Sequence, residues 1–365
     1  MKITAVEVVE VSGRVTSDAA APTALYVEIE TDDGASGRFG PIQPPQADVI
    51  RRTLAPFLLG RDPLATEALH DAMLKLDRHG RSGLFMTGMS PVDCALWDLK
   101  GTVLDLPVWR LLGGPTRERV PAYASMLGHS VDPDDAAQVA AEYVSMGYAA
   151  QKWFFAYGPE DGAAGVEKNL DLARAVRAAV GPHYRLMFDV VMRWTADYAV
   201  AMVRKLADVQ PAWVEEPVPP ERVGTLRRIR DAAPVPIATG EHVYTRWQVK
   251  ELLDAGALDV VQTDPDWCGG ITEQVKICAL ASAFDVPVVA HGHSLLPALH
   301  VAASQPASVV PEVEYLVMWQ PLKQHFHTPI REPVDGMLEL PAEPGLGLVL
   351  DEDKVADRRV WAGGV

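Results

Sequence analysis

Asp189, Glu215, Glu241, Asp264 and His291 recur along the chain at gaps of 26, 26, 23 and 27 residues. Asp189 (in MFDVV), Glu215 (in WVEEP) and Glu241 (in ATGEH) each close an apolar, strand-like run. Carboxylates gathered at one place repel one another unless a cation shares them. An all-oxygen ligand set suits a hard cation, and Mg²⁺ keeps positions open for substrate and water. Glu216 adjoins Glu215. Adjacent side chains of a strand point to opposite faces, so the 26-residue register selects Glu215 as the third ligand with Asp189 and Glu241.

His291 (in VVAHGHS) and Asp264 (in VVQTDPD) follow the next two strand-like runs. An Asp accepting from one imidazole nitrogen fixes the tautomer and raises the basicity of the other, so the pair reads as an oriented base. Lys152, among aromatics in YAAQKWFFAYG, could bind a substrate carboxylate or act as a base once desolvated. Glu314, in EVEYL, could hydrogen-bond a developing enolate if protonated, or be a simple strand-edge acid. Trp153, Trp194 and Trp267 could line a pocket, while His293 and His300 read as structural histidines.

A period of about 26 residues is one strand, one helix and two loops. In a parallel α/β barrel the C-terminal strand ends open onto one face, where barrel enzymes place their chemistry. Between Val120 and Leu316 the pattern gives eight candidate strands (VPAYAS, YAAQKW, RLMFDV, AWVEE, PIAT, DVVQT, VPVVA, VEYL) separated by seven helical stretches. A doubly wound sheet would normally reverse direction at a switch point; the uninterrupted repetition favours closure. Upstream, ITAVEVVEVSG and ALYVEIETDDGASGRFG alternate with period two, and helical patterns follow over Ala47–Leu59, Pro63–Lys75 and Ser90–Leu104. These features divide the chain into an α+β capping domain (1–120), a barrel (121–321) and a C-terminal segment (322–365) that packs back on the cap.

The 365 residues carry a formal net charge of −16, which argues against nucleic acid and anionic membranes as partners. It leaves room for an anionic small molecule, because a metal reverses the local sign. Three cysteines without zinc-type spacing suit a reducing cytosol. The first residues, MKITAVEVVEV, lack the apolar core of a signal peptide, so a cytoplasmic protein is expected. No GxGxxG follows a strand, and GxxxxGK[ST] and GxSxG are absent, so nucleotide binding and serine hydrolysis have no motif support.

WVEEPVPP, ATGEH, CGGITE, VVAHGHS and PGLGL, with the junction ALWDLKGTVLDLPVWRLLGG, together resemble the mandelate racemase subgroup of the enolase superfamily over nearly the whole chain. The resemblance implies α/β architecture with a modified TIM barrel, (β/α)7β, under an N-terminal α+β cap. It implies Asp189, Glu215 and Glu241 as Mg²⁺ ligands, Asp264 and His291 as the acid–base dyad, and Glu314 as an electrophilic acid. Family members are commonly oligomeric, which implies a homo-oligomer. Racemases of the family carry Lys-x-Lys on the second barrel strand; here Phe154 replaces the second Lys, which removes one base. Val191 stands where several sugar-acid dehydratases of the family have His. The pattern is nearest the rhamnonate dehydratase branch.

The expectation is a Mg²⁺-dependent dehydratase that converts a sugar acid (an aldonate or related 2,3-dihydroxy carboxylate) to a 2-keto-3-deoxy acid through an ene-diolate. His291 would be the base and Lys152 the carboxylate partner. Cap segments Arg14–Thr23 and Phe39–Pro45 would choose the substrate. A racemase, epimerase or cycloisomerase, and a non-catalytic sugar-acid binder, are the competing readings.

Overall fold

The structure, a computed structural model, describes residues 1–14 and 21–363. Most of the expected cap loop Arg14–Thr23 lies outside the described residues.

The alternation near the N-terminus folds into strands β1 (Ile3–Gly13), β2 (Thr23–Thr31) and β3 (Ser36–Ile42), paired antiparallel in that order. One run of helix follows, made of α1 (Pro44–Val49) and α2 (Ala55–Leu58) joined by one wider helical turn over Ile50–Leu54. Helices α3 (Thr66–Leu76), α4 (Leu84–Leu104) and α5 (Val108–Leu111) complete this part. α4 begins six residues before the expected Ser90. Its first turns include Gly88 and then Pro91, both poor helix formers in isolation, and the helix persists because almost all of it is buried.

The barrel alternates as expected. β4 (Arg119–Ser125) leads to α6 (Pro133–Ser145), β5 (Ala150–Phe154) to α7 (Gly162–Val180), and β6 (Arg185–Asp189) to α8 (Ala196–Lys205). β7 (Trp213–Glu215) leads to α9 (Val223–Ala232), β8 (Ile237–Thr239) to α10 (Thr245–Asp254), and β9 (Val260–Val261) to α11 (Gly270–Ser282). The seventh strand position is reduced to a parallel bridge between Val261 and Val288, after which come α12 (Leu295–Ser304) and β10 (Val313–Leu316). β10 pairs in parallel with β4, so the last strand returns to the first. This is the (β/α)7β arrangement. The chain ends with α13 (Gln320–Lys323), β11 (Met337–Glu339) and β12 (Val355–Val360). β12 joins the N-terminal sheet beside β1, whereas β11 pairs with barrel strand β4, so the tail holds both sheets.

Two clusters of contacts position the mouth. Across the bottom of the barrel, Arg185 at the start of β6 makes a two-pronged ion pair to Glu312, just before β10, at 2.8 and 2.7 Å. At the seam between cap and barrel, α4 docks on the start of α11. The Trp97 indole N–H donates to Thr272 Oγ1 (2.8 Å), and the Thr272 and Gly269 amides donate to Asp93 and Ser90 (2.9 and 2.8 Å). A Cβ at Gly270 would lie 2.2 Å from Asp93 Oδ2, so only glycine lets the carboxylate approach there. The seam also raises Asp93, whose full burial pushes its carboxyl up to about 7.

Inside the barrel, Tyr123, Ala150, Met187, Trp213, Ala238, Val260 and Val289 form one small buried cluster. Strand side chains repeat with period two. Two residues beyond Ala150, Met187, Trp213 and Val289 stand Lys152, Asp189, Glu215 and His291. An apolar layer thus floors a polar one, and the polar one faces the mouth.

Candidate active site

Each side chain in the polar layer owes its position to the strand below it. Asp189 and Glu215 are the last residues of β6 and β7, and their strands are in register with one another at that point. Glu241 comes two residues after β8. Gly240, at φ 142°, turns the chain so that Glu241 rejoins the ring; a Cβ there would sit 2.7 Å from the Gln262 amide nitrogen. Asp189, Glu215 and Glu241 each offer a carboxylate oxygen, and these three oxygens lie within 4.8 Å of one another.

Glu216 does not simply point away. At φ 40° it leaves the strand, and its carboxylate meets His242 Nδ1 at 3.0 Å, so Glu216, Glu241 and His242 form a second close group. Glu241 is shared by both groups. The strict two-face alternation expected for Glu215 and Glu216 therefore ends one residue earlier than a longer strand would allow.

Lys152 is fully buried beneath the acids. Its Nζ donates to Glu215 Oε1 at 2.5 Å and lies 2.9 Å from Glu314 and 3.5 Å from Asp189. Burial disfavours the ammonium, but Glu215, Glu314 and the other surrounding anions outweigh it and hold Lys152 well above its ordinary value. Of the two roles open to Lys152 in the sequence, a fixed cation agrees with this environment and a proton acceptor does not. The other Glu215 oxygen accepts from Trp213 Nε1 (2.9 Å) and Gln262 Nε2 (2.7 Å).

Burial pushes Asp189 up to about 6 even with Lys152 beside it, and Glu215 up to about 8; it raises Glu241 as well. Carboxylates that resist ionisation together are what a shared divalent cation relieves. The all-oxygen, strand-end donor set fits a hard metal, and these three residues could hold one.

Glu314, on β10, accepts from the Gly292 amide at 2.8 Å. Burial raises it, yet Lys152 and His291 more than compensate and leave it below the usual carboxylate range. Lys152 and His291 thus favour the ionised form of Glu314, whereas an enolate donor needs the protonated form.

His291 Nδ1 lies 3.1 Å from Asp264 Oδ2. Asp264 is fully buried, and its oxygens also accept from Ser294 Oγ (2.6 Å) and the His293 and Ser294 amides (3.1 and 3.3 Å). Burial would raise Asp264, but the bond from His291 and the His291 and His293 charges hold it low. His291 Nε2 turns toward Glu241, 3.5 Å away. Burial alone would depress the imidazole; Glu241, Asp264 and Glu314 instead raise it to about 10. Glu241 is the largest of these raising influences, so a cation sharing Glu241 would free the imidazole to act as a base.

The structure therefore brings Asp189, Glu215, Glu241, Lys152, Glu314, His291 and Asp264 into one mouth. Phe154, two residues after Lys152 on β5, places its ring 5.6 Å from Lys152 Nζ. Trp267 stands beside His291 and His293, with ring centroids 4.8 Å from each. Trp153 and Trp194 are instead core residues, 1% and 2% exposed. Trp213, Gln262, Ser294 and Gly292, which fix the site, lie within the segments WVEEP, VVQTDPD and VVAHGHS, whose motifs do not single them out. The period-two rule points to Trp213, which stands two residues before Glu215 on the same strand.

A cap of antiparallel strands and helices over a (β/α)7β barrel, with acids on successive strand ends, defines the enolase class of barrel. The chain belongs to the mandelate racemase/muconate lactonizing enzyme family. The family's N-terminal domain matches residues 5–113, and an enolase C-terminal domain-like region matches residues 135–354. The chain is 35% identical to an L-rhamnonate dehydratase of Saccharopolyspora erythraea over 90% of this chain and 83% of that protein. It is 34% identical to a D-galactarolactone cycloisomerase of Agrobacterium fabrum, over 92% and 91%. A solved mandelate racemase/muconate lactonizing protein from Paracoccus denitrificans, complexed with magnesium, superimposes with a TM-score of 0.86 at 31% identity, over 100% of both chains. Among the described residues, no helix is long and apolar enough to cross a membrane.

Proposed function

We propose that this protein dehydrates a sugar acid to a 2-keto-3-deoxy acid with Mg²⁺ held by Asp189, Glu215 and Glu241. The observation that carries the reading is the pairing, in one mouth, of a buried Lys152 ammonium and three strand-end carboxylates with the His291–Asp264 dyad. The identity to a dehydratase of a sugar acid supports the substrate class.

Bound to those acids, Mg²⁺ supplies Lewis-acid stabilisation of negative charge on the substrate carboxylate. Lys152 offers a second positive charge to that carboxylate, which makes the proton on carbon 2 more acidic. His291 Nε2 takes this proton, while Asp264 holds Nδ1–H and so fixes which nitrogen is free. The electron pair of the C2–H bond moves toward the carboxylate and gives an ene-diolate. Its collapse forms the C2–C3 double bond and breaks the C3–O bond; the departing oxygen takes a proton from a protonated group of the mouth and leaves as water. The resulting enol becomes the 2-keto acid by moving a proton from oxygen to carbon 3. Phe39 to Pro41 of the cap line a cavity beside the mouth with Gln320 and Lys323, which suits them to sense the substrate's far end.

Phe154 carries no proton, so two-base racemisation lacks its second partner on β5. Cycloisomerisation is the second reading, because a relative of similar identity bears that name. Mass spectrometry separates them. A panel of aldonates, aldarates and their lactones is incubated with Mg²⁺. Loss of the mass of one water supports dehydration, while a product of unchanged mass supports isomerisation and refutes it.

A further inference from the structure

Beside the first dyad stands a second His–Asp pair, in contact at ion-pair distance. His293 Nδ1 is buried and lies 3.0 Å from Asp266 Oδ2, as His291 Nδ1 lies 3.1 Å from Asp264 Oδ2. The members of the two pairs are each two residues apart in sequence, so Asp264 and Asp266 issue from one loop and His291 and His293 from the next. The imidazole planes are nearly parallel, 15° apart, with centroids separated by 6.4 Å, and Trp267 touches both rings. The pairs are wired together, because Asp264 accepts from the backbone amides of both Asp266 (2.8 Å) and His293 (3.1 Å).

Beyond the His293 contact, no structural role explains Asp266. It is 1% exposed, and among the described residues neither side-chain oxygen has a hydrogen-bond partner of good geometry. A buried carboxylate in that state is costly unless something else shares it. His293 Nε2 likewise takes no protein partner among the described residues, and the side chain is 15% exposed. A cavity of about 30 Å³ adjoins the pair, lined by Asp266, His293, Gln320, Lys323 and the cap residues Phe39 and Pro41. It is large enough for a water molecule, with Asp266, His293, Gln320 and Lys323 as polar partners in a mostly apolar lining.

We propose that His293, positioned by Asp266, is the acid that protonates the departing 3-hydroxyl, so that base and acid are separate histidines on one wall of the mouth. This rests on the dehydratase reading above and deepens it. In the step, His291 has already taken the C2 proton. The ene-diolate electron pair forms the C2–C3 π bond, and the C3–O bond breaks with its pair on oxygen. That oxygen takes the Nε2 proton of His293 and leaves as water, with the adjoining cavity as its first resting place. His293 then regains a proton from solvent, and His291 releases one, so the net change is loss of one water. The C2 proton and 3-oxygen sit on adjacent carbons, and each must lie within hydrogen-bond reach of its own nitrogen. Both Nε2 atoms must then face the substrate, with proton and hydroxyl leaving from the same face; the rings that carry them are 15° from parallel with centroids 6.4 Å apart.

The test compares two events in one reaction in D₂O with L-rhamnonate and Mg²⁺, followed by panel acids if it is not turned over. The two events are deuterium entering recovered substrate at carbon 2 and keto acid formed. Their ratio is internal to the folded, active fraction, so a loss of folded protein cancels. In His293→Gln and Asp266→Asn, deuterium per keto acid should rise at least about tenfold over wild type, because proton removal persists while expulsion slows. A ratio in both variants equal to wild type overturns the assignment of His293 and leaves the dehydratase reading standing. Wild type that forms no keto acid from any panel acid overturns both.

Discussion

Lys152→Met is the perturbation whose outcome the site geometry constrains most tightly. The ammonium lies 2.5, 2.9 and 3.5 Å from oxygens of Glu215, Glu314 and Asp189, and is 1% exposed. Methionine nearly matches the volume but leaves three buried acids without their shared cation. Removing one partner of a buried ion pair costs about 3–5 kcal/mol. For a 365-residue chain an unfolding entropy of about 2.1 cal/mol/K per residue turns this into a Tm fall of about 4–7 °C. The measurement is thermal unfolding by circular dichroism at pH 8, in EDTA and then in excess Mg²⁺. The variant should gain more Tm from Mg²⁺ than wild type does, since in the variant the cation replaces missing positive charge. Turnover should fall at least about 10²-fold even with Mg²⁺, because the substrate carboxylate loses a fixed charged donor. A variant that melts within about 1 °C of wild type in EDTA and responds to Mg²⁺ identically would refute the electrostatic account of the mouth.

Other expectations follow from the same geometry. Glu215→Gln presents an amide nitrogen to a site where Lys152, Trp213 and Gln262 all donate. It should lose about 1–3 kcal/mol of stability in chemical denaturation and bind Mg²⁺ more weakly by calorimetry. His291→Asn should leave Mg²⁺ binding intact and lower turnover at least about 10³-fold; near-wild-type exchange at carbon 2 would end the single-base reading. Burial holds His70, His300 and His327 neutral, down to about 3, 4 and 4. His300 is locked in that form, accepting from the Trp109 amide at 3.0 Å and facing the Leu346 carbonyl at 3.1 Å. Because the unfolded chain binds these protons first, the histidines' own contribution to stability is full above about pH 6.5 and is lost as pH drops toward 4, while the raised carboxyls of Asp93, Asp189 and Glu215 act in the opposite direction over that range. The slope is up to about 1.4 kcal/mol per pH unit per histidine, so the stability difference between wild type and His300→Gln should shrink as pH falls from about 7 to about 4.5, and a difference that stays constant would contradict it.

Much of this was legible in the chain because strand ends mark themselves. Asp189 and Glu215 close β6 and β7, as the apolar runs indicated, and Glu314 lies within VEYL, now β10. The expected PIAT, DVVQT and VPVVA runs shrink to three residues, two residues and a single bridge. The period survives that shortening, because it is set by helix and loop lengths rather than by strand length. α7 begins at Gly162, eight residues before LDLARAVRAAV, since two glycines obscure a start that burial against the barrel sustains. The charge states of Lys152 and Glu314 were illegible: they depend on distances between strands, which no single segment carries. His293 read as structural for the same reason, since its partner Asp266 belongs to the preceding loop and only the fold sets them 3.0 Å apart.

The central claim is elimination by a one-base mouth, and the most direct measurement is the fate of a sugar acid in D₂O with Mg²⁺, read by NMR and mass spectrometry. The account predicts a 2-keto-3-deoxy acid lighter by one water, with deuterium at carbon 3 and little or no epimer at carbon 2. Rapid accumulation of the C2 epimer without keto acid would contradict it, and would mean that a second proton donor reaches the carbon past Phe154.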